Sequence, residues 1–380
     1  MNTGTLSLNL SQTIDNNPHQ RSATQGAIMQ QEHPFEFTGS GREYFRIWIV
    51  NLLLTVVTLG IYSAWAKVRR LQYFYRNTRL AGSSFDYHGE PIAILKGRIV
   101  GVALFSLYTF AGVISPFVAL AVAAAIASVM PWLLSRSLRF RLHNSSYRGL
   151  RFRFSGSTSS AYRVFLWLPL LTVASLFTAG PFWHHRLKEY QHVNASYGGV
   201  PFEFDAPVSR FYRTYFLAAL IGLGFLVLMG VGIAVASVAA IALNADAIAA
   251  QTDQPPPAVV AAIMVPILVI YFIAVLTLHA FIATRVRNLA WNHTTIGPHH
   301  FGSDMRARRL LWITLSNAVA TLFTLGLFRP FAQVRLARYA TSTLWMQPAG
   351  PLDEFAAGGT LEIDAVGEEV AELFDFDIAF

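Results

Sequence analysis

Long stretches without a lysine or arginine alternate along this chain with short basic, aromatic stretches. The longest bare stretch runs between Arg213 and Arg285 and holds two apolar segments, at 215–243 and 258–283. A second, between Arg98 and Arg136, covers 99–134 with only Pro116 and Pro131 as punctuation. Each is longer than the ~20 apolar residues that cross a bilayer once. Each therefore predicts a transmembrane helix pair. The turns fall near Ser115-Pro116 and at 244–257. The second turn carries Asp246, Asp253 and three prolines but no base, as suits a loop outside the cytoplasm.

Three shorter apolar runs are related by internal repetition. A shift of 117 residues lays Phe35, Phe37 and Gly39 on Phe152, Phe154 and Gly156. It also lays Arg69, Tyr73 and Asn77 on Arg186, Tyr190 and Asn194. A shift of 266 gives a third, partial copy: Phe35 meets Phe301, Asn51 meets Asn317, and Thr58-Leu59-Gly60 meets Thr324-Leu325-Gly326. Trp65, Arg69 and Tyr73 then meet Phe331, Arg335 and Tyr339.

The repeated unit predicts a short strand, an apolar helix from about 44 to 59, a break, and a basic aromatic helix. Gly60 and Gly326 stop the first helix, and Ala64, Pro181 and Pro330 open the second. The second helix has an interfacial composition, with Trp65, Lys67, Arg69, Arg186 and Arg335 as candidate lipid-headgroup residues. One uninterrupted helix with a basic stop-transfer end is the competing reading.

A smaller cassette, Asn-x4-Gly followed by Phe, recurs at Asn77/Gly82/Phe85, Asn144/Gly149/Phe152, Asn194/Gly199/Phe202 and Asn292/Gly297/Phe301. Asn and Gly at this spacing form turns with positive φ before a short strand. The expectation is small hairpins outside the bilayer, standing alone or paired into one sheet, with the asparagines as turn formers.

All lysines and arginines lie in six clusters, at 21–46, 67–98, 136–163, 186–213, 285–309 and 329–338. If each repeat helix crosses once, the chain has seven spans and the clusters fall on both sides. If each enters and returns at its break, every cluster and the C-terminus are cytoplasmic. The first helix of the unit offers ~14–16 residues, about 21–24 Å against a ~30 Å core, which favours partial insertion.

The expected fold class is an all-α membrane protein: a polytopic helical bundle with three internal repeats, broken or partially inserted repeat helices and small cytoplasmic β-hairpins. The divisions are a polar tail at 1–33, repeat 1 at 34–98, a transmembrane pair at 99–134, and a hairpin with repeat 2 at 135–213. A second transmembrane pair at 214–284, a hairpin with repeat 3 at 285–346 and an acidic tail at 347–380 complete the chain.

Composition agrees, with 54% hydrophobic and only 13% charged residues against ~25% charged in soluble domains. There is no cysteine, which excludes disulfides and thiolate chemistry. The first 33 residues lack an apolar core and do not form a signal peptide. No base follows Arg338, while nine acids do. The remaining twelve acids face 29 bases, a balance of +17. With apolar spans of this length, that charge implies anionic lipid headgroups as partners and not nucleic acid.

Phe35-Glu36-Phe37-Thr38-Gly39, Thr58-Leu59-Gly60-Ile61-Tyr62, Trp65-Ala66-Lys67-Val68-Arg69 and the Asn-x4-Gly turns resemble the YjgN family. These are bacterial multi-pass inner-membrane proteins, also known as domain of unknown function 898. The resemblance runs from about residue 33 to the C-terminus. The second repeat departs most, with Phe177 for the glycine and Pro181-Phe182-Trp183-His184-His185 for Ala-Trp-Ala-Lys-Val. The resemblance implies the bacterial inner membrane and no particular activity.

Candidate chemistry is sparse. No phosphate loop, nucleophile elbow or dinucleotide fingerprint occurs, so neither an enzyme nor a cofactor is expected. His185, Glu189 and His192 stand at i, i+4 and i+7, a legitimate metal-ligand spacing. The competing reading has these histidines binding headgroups or water and Glu189 pairing with Arg186 or Lys188. Asn51 and Asn317 are mid-helix amides that either line a pathway or hydrogen-bond a neighbouring helix. Two functions follow: a transporter- or pore-like protein with internal repeats, or a non-catalytic envelope protein that organises lipid or recruits partners through its cytoplasmic face.

Overall fold

The computed structural model describes residues 32–243 and 257–350. The predicted N-terminal tail up to residue 31, the 244–257 turn up to residue 256, and the acidic tail from residue 351 lie outside the described residues. Strand β1 (His33–Phe37) comes first. Helices α1 (Gly41–Val57) and α2 (Ser63–Arg76) lead into β2 (Thr78–Leu80) and β3 (Ser83–Tyr87). Helices α3 (Pro91–Ile114) and α4 (Pro116–His143) lead into β4 (Ser145–Tyr147) and β5 (Leu150–Phe154). Helix α5 starts at Thr158–Tyr162 and passes through a π-helical turn, Arg163–Trp167, into Leu168–Ala174. With α6 (Gly180–Val193) it leads into β6 (Ala195–Tyr197) and β7 (Val200–Phe204). Helices α7 (Val208–Leu243) and α8 (Pro257–Trp291) lead into β8 (Thr294–Ile296) and β9 (His299–Ser303). Helices α9 (Ala307–Phe323) and α10 (Arg329–Ser342) lead into β10 (Leu344–Gln347).

The ten described strands close into one antiparallel barrel, in the order β1-β10-β9-β8-β7-β6-β5-β4-β3-β2. Strands β10 and β1 stand where a fifth hairpin belongs, so the two ends of the described chain complete the ring. This corrects the expected all-α bundle with small hairpins: the hairpins form one closed barrel. A hairpin with a three-residue strand is unstable alone. Pairing every hairpin with both neighbours satisfies the backbone and leaves no open edge.

The hairpins form for local reasons. Ala81-Gly82, Arg148-Gly149 and Gly198-Gly199 all have positive φ, the requirement of a two-residue type I′ turn. The cassette asparagines play a different part from the turn formers expected. The Nδ2 amides of Asn77, Asn144 and Asn194 donate to the carbonyls of Tyr73, Phe140 and Tyr190 at 2.8, 2.9 and 2.8 Å. They therefore cap the preceding helix. In the fourth unit His293 Nδ1 takes that place against the Leu289 carbonyl, and Asn292 Oδ1 accepts from the Ser303 amide.

The short helix pairs are antiparallel hairpins. Leu59 and Gly60 have φ of 51° and 94°, and the Gly60 amide donates to the Thr55 carbonyl at 2.8 Å. Leu325 and Gly326 repeat this turn, and in the second copy Phe177 adopts the glycine conformation with φ 66°. The far ends are clamped by a repeated tyrosine. Tyr73 Oη accepts from the Ser40 amide and donates to its carbonyl, both at 2.9 Å. Tyr339 does the same with Arg306 at 2.8 and 3.0 Å. Tyr190 reaches the Ser157 carbonyl at 3.5 Å.

Around the barrel, the second helix of each unit packs on the first helix of the next, and α10 packs on α1. Among the described residues, four helices, α3, α4, α7 and α8, are long and apolar enough to cross a membrane. Their outer faces expose large apolar side chains such as Phe105, Phe110 and Phe117, which lipid solvates.

Candidate functional site: an axial chamber

Ten side chains, one from each strand, pack together with Leu344 in one apolar cluster inside the barrel. Register pairs Phe35 with Leu80, Phe85 with Tyr147, Phe152 with Tyr197, Phe202 with Ile296, and Phe301 with Met346. Each unit contributes one phenylalanine, giving a ring of five. The rings contact one another, as in Phe85 with Tyr147 at 4.7 Å and Phe152 with Tyr197 at 4.9 Å between centroids. Tyr147 Oη donates to the Leu80 carbonyl at 2.7 Å and Tyr197 Oη to that of Tyr147 at 2.9 Å. These bonds satisfy the two hydroxyls inside an otherwise apolar plug.

Above this plug lies a cavity of about 890 Å³, within the ~300–1,000 Å³ of small-molecule sites. Its walls take side chains from all ten strands and from the second helix of all five units. Among the described residues, four bases line it, Lys67, Arg70, Arg141 and Arg287, and no aspartate or glutamate does. Further from the barrel the wall becomes apolar, with Leu134, Met130 and Ala127 of α4 and Phe165 and Leu166 of the π turn. Gln191 Oε1 and Arg287 Nε, both of lining residues, are buried without a hydrogen-bond partner. Lys188, beside the chamber on α6, has its pKa pushed down to about 8 by burial, then by the charges of Arg287 and Arg141.

The family model described as bacterial protein of unknown function (DUF898) matches residues 32–373. The chain belongs to the DUF898 family. Among similar proteins are two named inner membrane protein YjgN. That of Escherichia coli K12 is 30% identical over 152 residues, 38% of this chain and 37% of the relative. That of Salmonella typhimurium LT2 is 30% identical over 149 residues, with the same shares. The chain thus matches little more than a third of these relatives' length. No solved structure matches significantly.

In this DUF898 membrane protein, the residues singled out from sequence fall into separate places. His185, Glu189 and His192 do not converge. His185 Nε2 lies 2.8 Å from the Ala206 carbonyl, while Nδ1 is 4.0 Å from Glu189. Glu189 pairs with Arg186 at 2.6 Å, and His192 Nδ1 meets the Thr294 hydroxyl at 2.9 Å. Among the described residues no three His, Cys, Asp or Glu groups stand where they could hold a metal ion. Asn317 joins the two helices of its hairpin: Nδ2 donates to the Ala332 carbonyl at 3.2 Å, and Oδ1 accepts from Arg335 at 2.7 Å. Its repeat mate Asn51 is buried with Oδ1 unpartnered, because the equivalent Arg69 lies over the Tyr62 ring at 5.7 Å. Neither asparagine lines the chamber.

The lipid-headgroup candidates divide by helix face. Arg69, Arg186 and Arg335 are exposed on the outside at equivalent positions, and Trp65 stacks on Tyr62 at 6.1 Å. Lys67 turns inward to the chamber. Sequence reasoning missed Arg70, Arg141 and Arg287, which sit at non-equivalent positions of their units. The only signal available was that the inner helices stay basic on two faces.

Proposed function

We propose that the chain resides in the bacterial inner membrane as a transporter-like protein. The axial cavity is its substrate chamber, and the five-phenylalanine ring is its closed gate on the barrel side. The carrying observation is that ten strands and five inner helices converge on one chamber. A protein that used its repeats only as scaffold needs no such convergence.

The barrel and the C-terminal end lie on the cytoplasmic side in this reading. Within the long helices the bases sit at the barrel ends, as with Lys96, Arg98, Arg136, Arg139 and Arg141, and none lies at the α3–α4 turn. That asymmetry follows the positive-inside bias. The 17-residue α1 and α9 reach about 26 Å and enter the bilayer without crossing it.

Purified full-length protein in planar bilayers tests the gate. The triple variant F85A/F152A/F202A raises conductance in potassium chloride at least tenfold over the parent. An unchanged conductance in a variant that retains its thermal transition contradicts the reading. A second reading, an envelope protein that only organises lipid, is favoured by the outward arginines over aromatic rings. Examples are Arg136 over Trp132 at 5.0 Å and Arg186 over Phe182 at 5.1 Å. It predicts no conductance in any variant.

A further inference from the structure

The three short helix hairpins share one arginine position, and each copy settles it differently. In the third copy Arg335 donates to Asn317 Oδ1 at 2.7 Å and to the Ser316 hydroxyl at 3.2 Å. In the second, Arg186 pairs with Glu189 at 2.6 Å. In the first, Val50 stands where the third has Ser316, so one of the two acceptors is missing. Arg69 turns from Asn51 and lies over the Tyr62 ring at 5.7 Å, exposed on the outer face of α2. Asn51 Oδ1 and the Tyr62 hydroxyl are both left buried without a hydrogen-bond partner.

A second cation reaches the same hairpin tip. Arg98 of α3 donates to the hydroxyl of Ser63, the residue after Tyr62. One hydroxyl occupies a single donor of the guanidinium fork and neutralises none of its charge. Among the described residues no carboxylate pairs with Arg69 or Arg98. The second copy has Tyr215 at the Arg98 position, bonded to His184 at 2.7 Å, and the third holds its arginine on Asn317. Arg98 is also the last base before the apolar run of α3, and Trp65 stacks on Tyr62 at 6.1 Å beside it, the setting of a membrane interface. Val102 and Phe105, four and seven residues beyond Arg98 and on its side of α3, are exposed, as is Leu59 at the hairpin tip.

We propose that Arg69 and Arg98 form a binding site for one anionic phospholipid. Its phosphate is held by both guanidinium groups at the tip of the first hairpin, and its acyl chain runs along Val102 and Phe105. Guanidinium forks match phosphate oxygens bidentately. The exposed apolar face that continues from Arg98 selects a lipid over free phosphate. A zwitterionic headgroup would bring its own cation against the arginine pair, so the lipid is anionic. The site lies outside the axial chamber and stands whether or not the chamber carries a substrate.

The test is native mass spectrometry of the full chain in detergent, titrated with phosphatidylglycerol or phosphatidylcholine of matched acyl chains. One phosphatidylglycerol per chain binds about tenfold more tightly than phosphatidylcholine, and R69Q or R98Q each weakens it about tenfold, the contribution of one charge-assisted hydrogen bond. R186Q and R335Q leave it unchanged. If a glutamine variant loses its thermal transition, Val50→Ser replaces it. That change supplies the acceptor of the third copy, keeps every charge and weakens the lipid by drawing Arg69 back to Asn51. Equal affinities for the two lipids overturn the proposal, as does unchanged affinity in R69Q, R98Q and Val50→Ser. An equal fall in R69Q and R335Q marks a general attraction to basic protein and also overturns it. So does displacement of the bound lipid by millimolar inorganic phosphate, which marks a free-phosphate site.

Discussion

Tyr44 Oη donates a 2.9 Å hydrogen bond to Gln333 Oε1 across 289 residues of sequence. It joins α1, the first helix, to α10, the last, and so closes the helical ring where β1 and β10 close the barrel beneath. Tyr44 is almost fully buried, and Phe45 stacks on Phe331 at 5.6 Å beside it. Tyr44→Phe leaves a half-buried amide oxygen without its donor, at a cost of about 1 kcal/mol. The melting midpoint in detergent falls accordingly, and Gln333→Leu in the same chain recovers part of the loss.

The tyrosine clamps make a second prediction. A Cβ at Gly39 lies 2.7 Å from the Phe37 ring and 2.9 Å from Tyr73 Oη. Gly39→Ala therefore forces apart the contact that holds the hairpin base, costing about 1–3 kcal/mol. Tyr339→Phe removes two hydrogen bonds to Arg306 and has a similar effect. Thermal melts of the two variants check both.

Lys188 predicts a pH dependence. Its folded-state pKa of about 8 lies below the ~10.4 of a free lysine. Below pH 8 the group is protonated in both folded and unfolded chains, and its full penalty is present. Between about 8 and 10.4 only the folded chain loses the proton, so stability rises with pH through that window by up to ~3 kcal/mol. His184 and His192, depressed to about 4 and 3 by burial and then by Lys188, stay neutral throughout. Arg287, lowered to about 10 by burial, keeps its proton until the top of that window. Lys188→Met flattens the profile, which thermal melts across that pH window check.

Much of this architecture was readable and some was not. The Phe-x-Gly repeats and Asn-Gly cassettes announced strands because their turn chemistry is local: Ala81-Gly82 and Arg148-Gly149 need only each other. The barrel was hidden because pairing between units is not local. Phe85 meets Tyr147 and Phe202 meets Ile296 across intervening helix pairs. The fifth hairpin was hidden further, since β1 and β10 stand at opposite ends of the sequence. Arg70, Arg141 and Arg287 escaped because they occupy non-equivalent positions of their units, so no shift of the sequence superposes them. Asn51 and Asn317 align in sequence yet differ in structure, because Arg335 bonds its asparagine while Arg69 lies over Tyr62.

The central claim is that five units hang from one barrel on one side of the membrane, three of them dipping in without crossing. The chain has no cysteine, so single cysteines report cleanly to a membrane-impermeant maleimide. Ser84, Arg151, Glu203, His300 and Gln347 are exposed positions spread around the barrel. Cysteines there label in inverted inner-membrane vesicles and not in spheroplasts. A cysteine at Ser115 labels in spheroplasts only. A cysteine at Leu59, the exposed tip of the first hairpin, labels in neither because lipid covers it. Labelling of Leu59 from the same side as Ser115, or a split among the five barrel positions, contradicts the account.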